Sequence, residues 1–179
     1  MTPHLGLYRT ATARLEAADW LLPTLARLLF AAVLLVYFLN AGLTKLGDGP
    51  LGIFSPPTGA YAQIFPRAFE AVGYNSDAFG LFPWVVVVAG TLAEFILPLL
   101  IVFGLLTRLA AFGMIGFIAV QSLTDLYGHG QWDALGAWFD RFSDGQILDQ
   151  RALWVFLLSV LILKGAGPLS LDRLLAPRS

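Results

Sequence analysis

Four apolar stretches in a chain of 179 residues leave few ways to fold. A helix needs roughly 20 apolar residues to cross a hydrocarbon core about 30 Å thick. The expected spans are 22–46, 81–106, 109–126 and 152–169. In lipid only helices and closed barrels satisfy their own backbone, and these runs lack the two-residue alternation of barrel strands. The predicted fold class is all-α: a polytopic membrane four-helix bundle in one domain, with short interfacial helices in its two long loops. Charged residues make up 13% of the chain, half the roughly 25% of soluble domains, in keeping with that class.

The second and third spans are joined by a tight turn around Thr107 and Arg108. Four crossings put both termini on one side. That side carries Arg9, Arg14, Arg27, Arg108, Lys164, Arg173 and Arg178, against Lys45, Arg67, Arg141 and Arg151 on the other. Positive-inside bias then places both termini in the cytoplasm, and the expected location is a bacterial inner membrane. Arg9, Arg14, Glu16 and Asp19 break up the tail before Trp20, so no cleaved leader is expected.

Both loops on the far side are rich in aromatic residues. Tyr61, Phe65, Phe69 and Val72 suit a short amphipathic helix. Trp132, Leu135, Trp138, Phe139 and Phe142 fall on one side of a helical wheel. Aromatic rings at headgroup depth anchor a protein without any ligand, and Trp132 and Trp138 are assigned to the interface on that ground. Arg27 and Arg108, near the opposite ends of the spans, are expected to meet lipid phosphates.

Polar residues inside the spans are the candidate site. An ionised group at the bilayer centre costs about 2.5–3.5 kcal/mol on insertion scales, so it tends to face the bundle and find a partner. Glu94 in the second span and Gln121 in the third both lie about 18 Å from the hairpin end at helical rise, so a hydrogen bond between them is expected. Asn40, Lys45 and Asp125 form a further group nearer the loops, with a Lys45–Asp125 ion pair as the expected contact. Two readings of Glu94 stay open: glue between helices, or an acid that handles protons or ligand. It is the one candidate for catalysis. Thirteen residues separate Arg27 from Asn40 and Arg108 from Gln121, a faint echo of a parallel two-span repeat.

The chain has no cysteine and two histidines, His4 in the tail and His129 in a loop. Iron–sulfur clusters and an intramembrane bis-histidine haem are therefore excluded. His129 with Asp133 gives two ligands, short of a metal site. The near-neutral net charge of −1 points away from nucleic acid. A quinone needs only apolar walls and one or two polar groups, so it stays open as a cofactor.

Four segments resemble the DoxX family of small bacterial membrane proteins. They are Arg27-Leu-Leu-Phe with Asn40-Ala-Gly-Leu-Thr-Lys45-Leu46, the region after Gly73, Ala93-Glu94 with Phe103-Gly-Leu-Leu-Thr-Arg108, and Gly165-Ala-Gly-Pro-Leu-Ser-Leu-Asp172. The resemblance implies kinship with the DoxD subunit of a thiosulfate:quinone oxidoreductase and with membrane partners of redox-stress complexes. The long Tyr127–Arg151 segment departs from shorter members.

Three functions follow as expectations. The first is an accessory subunit of a larger membrane redox or respiratory assembly, in contact with lipid and with a partner complex or further copies of itself. The second is a quinone-linked oxidoreductase component in which Glu94 handles protons. The third is a small-solute or proton transporter, which four spans without an obvious broken helix make harder to build.

Overall fold

A computed structural model describes residues 3–176; Arg178, counted above among the terminal cations, lies outside them. A helix at Pro3–Glu16 precedes four helices long and apolar enough to cross a membrane: Leu21–Leu43, Leu81–Phe103, Thr107–Gly128 and Gln146–Lys164. No strand occurs among the described residues. The all-helical membrane bundle expected from the apolar stretches is what the chain forms.

Three of the spans contain a wide turn. Ala31–Leu35, Thr124–Gly128 and Gln146–Arg151 are π-helical. Such turns open the i→i+4 ladder and are frequent at functional sites. The last one carries the fourth span back to Gln146, ahead of the apolar run that begins at Ala152. That span then stops at Lys164, where Gly165 turns the chain at φ 79°.

The spans pack in chain order around an apolar core. Phe30, Leu34 and Phe38 of the first, Ile101 of the second, Met114 and Ile118 of the third, and Leu158 and Leu161 of the fourth are its fully buried members. Close approach of the first two spans depends on Gly42. A Cβ there would lie 2.7 Å from the Phe95 ring, so a larger residue would force that ring or the second span to shift.

The first long loop does more than lie on an interface. It forms two helices, Thr58–Ile64 and Pro66–Ala71, with a core of their own. Tyr61 stacks on Phe69 at 5.5 Å, and both pack with Ala60 against Val87 of the second span. Trp84 fixes the loop further by donating Nε1–H to the Phe54 carbonyl at 2.9 Å. The second loop differs from its helical wheel. Its helical content is one 3₁₀ turn, Trp132–Ala134. The rest is irregular chain held by Trp138 Nε1–H on the Leu148 carbonyl at 2.7 Å and Gly145 N–H on the Asp149 carboxylate at 2.8 Å. Glycines at 136 and 145, with Phe139 at φ 65°, interrupt the periodicity that the aromatics alone would allow.

At the opposite end, the hairpin and the C-terminal segment are tied together. Gly104 ends the second span in the left-handed region at φ 68°. A Cβ on it would fall 2.6 Å from Ser170 Cβ and 2.9 Å from the Arg27 guanidinium carbon. Leu106 follows at φ 48°, a strained setting for a branched residue. Asp172 meets that strain: its two oxygens accept from Leu106 N–H at 2.7 Å and Thr107 N–H at 3.0 Å. A carboxylate from a distant helix thereby caps the N-terminus of the third span, where the helix dipole favours negative charge.

Candidate functional site: a charged cleft between the spans

A cleft of about 630 Å³ lies among the first three spans. Its walls are small or apolar, with Ala89, Gly90 and Ala93 on the second span facing Gly113, Gly116 and Phe117 on the third. Val85, Ala89, Gly116 and Val120 are exposed, so the side entrance between those two helices opens on the surface that acyl chains would cover.

Lys45 and Glu94 form an ion pair on its wall. Lys45 Nζ is 2.9 Å from Glu94 Oε1 and 3.0 Å from Oε2, and it also donates to the Ala41 carbonyl at 3.0 Å. Both side chains are at least nine-tenths buried. Lys45 lies two residues beyond the end of the first span, and its long chain folds back along the helix it has just left. The first span packs on the second, so the ammonium reaches Glu94. Pro98 stands four residues after Glu94 within the same helix and has no N–H to give to the Glu94 carbonyl.

Both contacts expected from depth alone are therefore replaced. Glu94 does not bond Gln121, and Lys45 does not pair with Asp125. Gln121 Nε2 donates instead to the Tyr37 hydroxyl at 2.8 Å, and its Oε1 is buried without a partner. Asp125 binds Arg151 at 2.5 Å, and Arg151 also donates to Ser122 Oγ at 2.8 Å. Arg151 is only 2% exposed. Assigned from sequence to a loop, it sits inside the fourth span's wide first turn, and Asp125 sits in the third span's wide last turn. The third and fourth spans are packed partners, which decides the pairing. Asn40 is exposed and outside the cleft.

Residues missed by the sequence reading complete the loop end. Gln63 and Ile64 of the first loop helix line the cleft together with Thr124 and His129. His129 Nε2 lies 2.9 Å from the Gln63 carbonyl and so ties the third span to that helix. No signal in spacing or hydropathy pointed to this contact across 66 residues.

Arg27, expected at a lipid phosphate, directs its guanidinium to the protein's own backbone. Its guanidinium donates to the carbonyls of Ile101 at 3.1 Å, Val102 at 2.5 Å, Ala166 at 2.9 Å and Leu169 at 2.5 Å. It caps the second span and binds the chain that follows the fourth. Arg108 stays exposed, with a long 3.5 Å approach to the Leu163 carbonyl. Trp132 and Trp138 are both more than half exposed beyond the spans, where rings would meet headgroups.

These features define an integral membrane protein with a charged cleft inside a four-helix bundle. The DoxX family model matches residues 22–124, more than half of the chain, and the chain belongs to that family. The match takes in Lys45, Glu94 and Gln121 and ends before Asp125. No curated protein and no solved structure is detectably similar.

Proposed function

We propose that this protein is an accessory subunit of a larger membrane redox or respiratory assembly, and that its cleft holds a quinone. The observation that carries the reading is the cleft itself: apolar walls, a lateral opening toward lipid and the buried Lys45–Glu94 ion pair. An ion pair in hydrocarbon is expensive and tends to mark a pathway or ligand site. The redox class comes from family membership, through the quinone-linked oxidoreductase to which the family is related.

The donor set suits a two-carbonyl headgroup. Tyr37 Oη accepts from Gln121, which leaves its own proton free to donate. Tyr37 stands on the first span and Lys45 just past its end, with its ammonium folded back to the Ala41 carbonyl. Both line the cleft, and a flat ring between them would meet a donor from each. A bound quinone would supply two-electron chemistry coupled to proton uptake. This chain's part would be to orient the ring between Tyr37 and Lys45, flank it with the apolar side chains of Phe117 and Leu97, and hold a proton at Glu94.

In this reading the protein sits in a bacterial inner membrane with both termini cytoplasmic. The exposed Trp132, Trp138 and Phe142 then face the outer side, where they meet headgroups or a partner subunit. Crosslinking in native membranes, followed by extraction in mild detergent and mass spectrometry, tests the assembly. Recovery in a complex with redox proteins is expected; recovery only as an isolated chain would contradict it.

A further inference from the structure

The cleft is chemically lopsided along the membrane normal. Level with Glu94 it is lined by Gln121, and on the loop side of that level by Thr124, Asp125, His129 and Gln63, the last two exposed at the loop face. On the hairpin side of Glu94 the cleft ends at Leu97 and Gly113. Below it lie Ile101 and Phe30, and Leu34 and Met114 fill the core beside it, each at most 1% exposed. Ile101 is four residues past Leu97, so closely packed hydrocarbon begins within about 6 Å of the cleft floor. Arg27 then plugs the end, with its donors committed to four carbonyls.

Water enters a buried space only where it is roomy and polar enough to offer partners. From the level of Glu94 to the loop face the cleft meets both conditions, with about 630 Å³ in the whole and an orphaned acceptor at Gln121 Oε1. The hairpin half meets neither. We propose that the cleft is an aqueous half-channel, which brings water and protons to Glu94 from the loop face and bars them from the face that carries the termini.

The charged groups around Glu94 fit a one-sided route. Lys45 faces it from the first span, and the second span brings no other charge. Asp125 and His129 of the third span line the same cleft, and Arg151 of the fourth is engaged by Asp125. Two entrances result, unlike in chemistry: an apolar one between the second and third spans, and a polar one past His129. The inference goes beyond the quinone reading and stands without it.

The chain has no cysteine, so single thiols can be introduced without a background. A thiolate attacks the sulfenyl sulfur of a charged methanethiosulfonate and expels methanesulfinate, and the reagent needs a water-filled path to reach it. Asp48→Cys and Glu16→Cys, both exposed, mark the loop and terminal faces of sealed vesicles. Ala93→Cys reports the level of Glu94, and Thr124→Cys the route above it. Gly90→Cys serves if Ala93→Cys fails to fold, because an added Cβ there meets only Ile64, at 3.7 Å. Ile101→Cys and Met114→Cys report the seal.

The expected result is modification of Thr124→Cys and of Ala93→Cys from the face that modifies Asp48→Cys and from no other, with Ile101→Cys and Met114→Cys inert from both. Modification of Ala93→Cys from the Glu16→Cys face, its silence from both faces, or a reactive Ile101→Cys would each overturn the half-channel. None of these outcomes involves quinone, so the ligand reading stands or falls separately.

Discussion

Lys45 and Glu94 lie 49 residues apart in the chain and meet at 2.9 Å inside the bundle, each more than nine-tenths buried. Removing one of two such charges leaves the other buried without its partner. That physical fact makes the pair a point of weakness as well as a candidate site, and the two aspects can be measured apart.

Removing one partner strands the other. Glu94→Gln or Lys45→Met alone is expected to destabilise the protein by about 3–5 kcal/mol, the usual result of leaving a buried charge unpaired. The double variant is expected to recover much of that loss, because no charge is then stranded. Thermal unfolding of the four proteins in one detergent checks this. Additive losses would show that the two side chains are not coupled.

The Asp172 cap predicts an acid limit to stability. Burial pushes this carboxyl up, but hydrogen bonds from Thr107 and Leu106 and the nearby Arg27 outweigh it and hold the group below the usual carboxylate range. A depressed folded-state value means that the cap stabilises fully above the unfolded value. Its contribution fades as pH falls through the folded one. Asp172→Ala should lose about 1 kcal/mol at neutral pH, as for a lost helix cap, and the gap to wild type should narrow in acid. Melting temperatures of both proteins between neutral and acidic pH test it; a gap that stays constant would contradict the assignment.

Arg27 binds four carbonyls through a planar fork, and an ammonium has three donors and no such plane. Arg27→Lys keeps the charge yet should loosen the joint between the second span and the C-terminal segment. Hydrogen exchange is the appropriate readout. Faster exchange at Leu105–Thr107 and Leu171–Leu175 is expected, with little change near Tyr61 and Phe69 in the loop core.

The bundle was legible in the sequence because hydrocarbon length and backbone satisfaction leave so few alternatives. Glu94 and Lys45 were also legible as unusual residues, since their cost is set by where they lie along a span. Their partners were not. Depth along a helix says nothing about azimuth, so Gln121 at the right height faces Tyr37 and not Glu94. Arg151 was hidden for another reason. A π turn extends the fourth span past its apolar run, and that turn leaves no trace in hydropathy. The helical wheel of the second loop failed at Gly136 and Phe139, where a positive φ overrides aromatic spacing.

Quinone binding tests the central claim most directly. Purified protein in lipid nanodiscs would be titrated with a short-chain quinone and followed by quenching of tryptophan fluorescence, with Tyr37→Phe and Asn40→Ala alongside wild type. Loss of one hydrogen bond from Tyr37 is worth about tenfold in Kd. Asn40 is exposed and outside the cleft. The account predicts saturable quenching in wild type and in Asn40→Ala, weakened about tenfold in Tyr37→Phe. Quenching that rises without saturation, or that is the same in all three proteins, would contradict it.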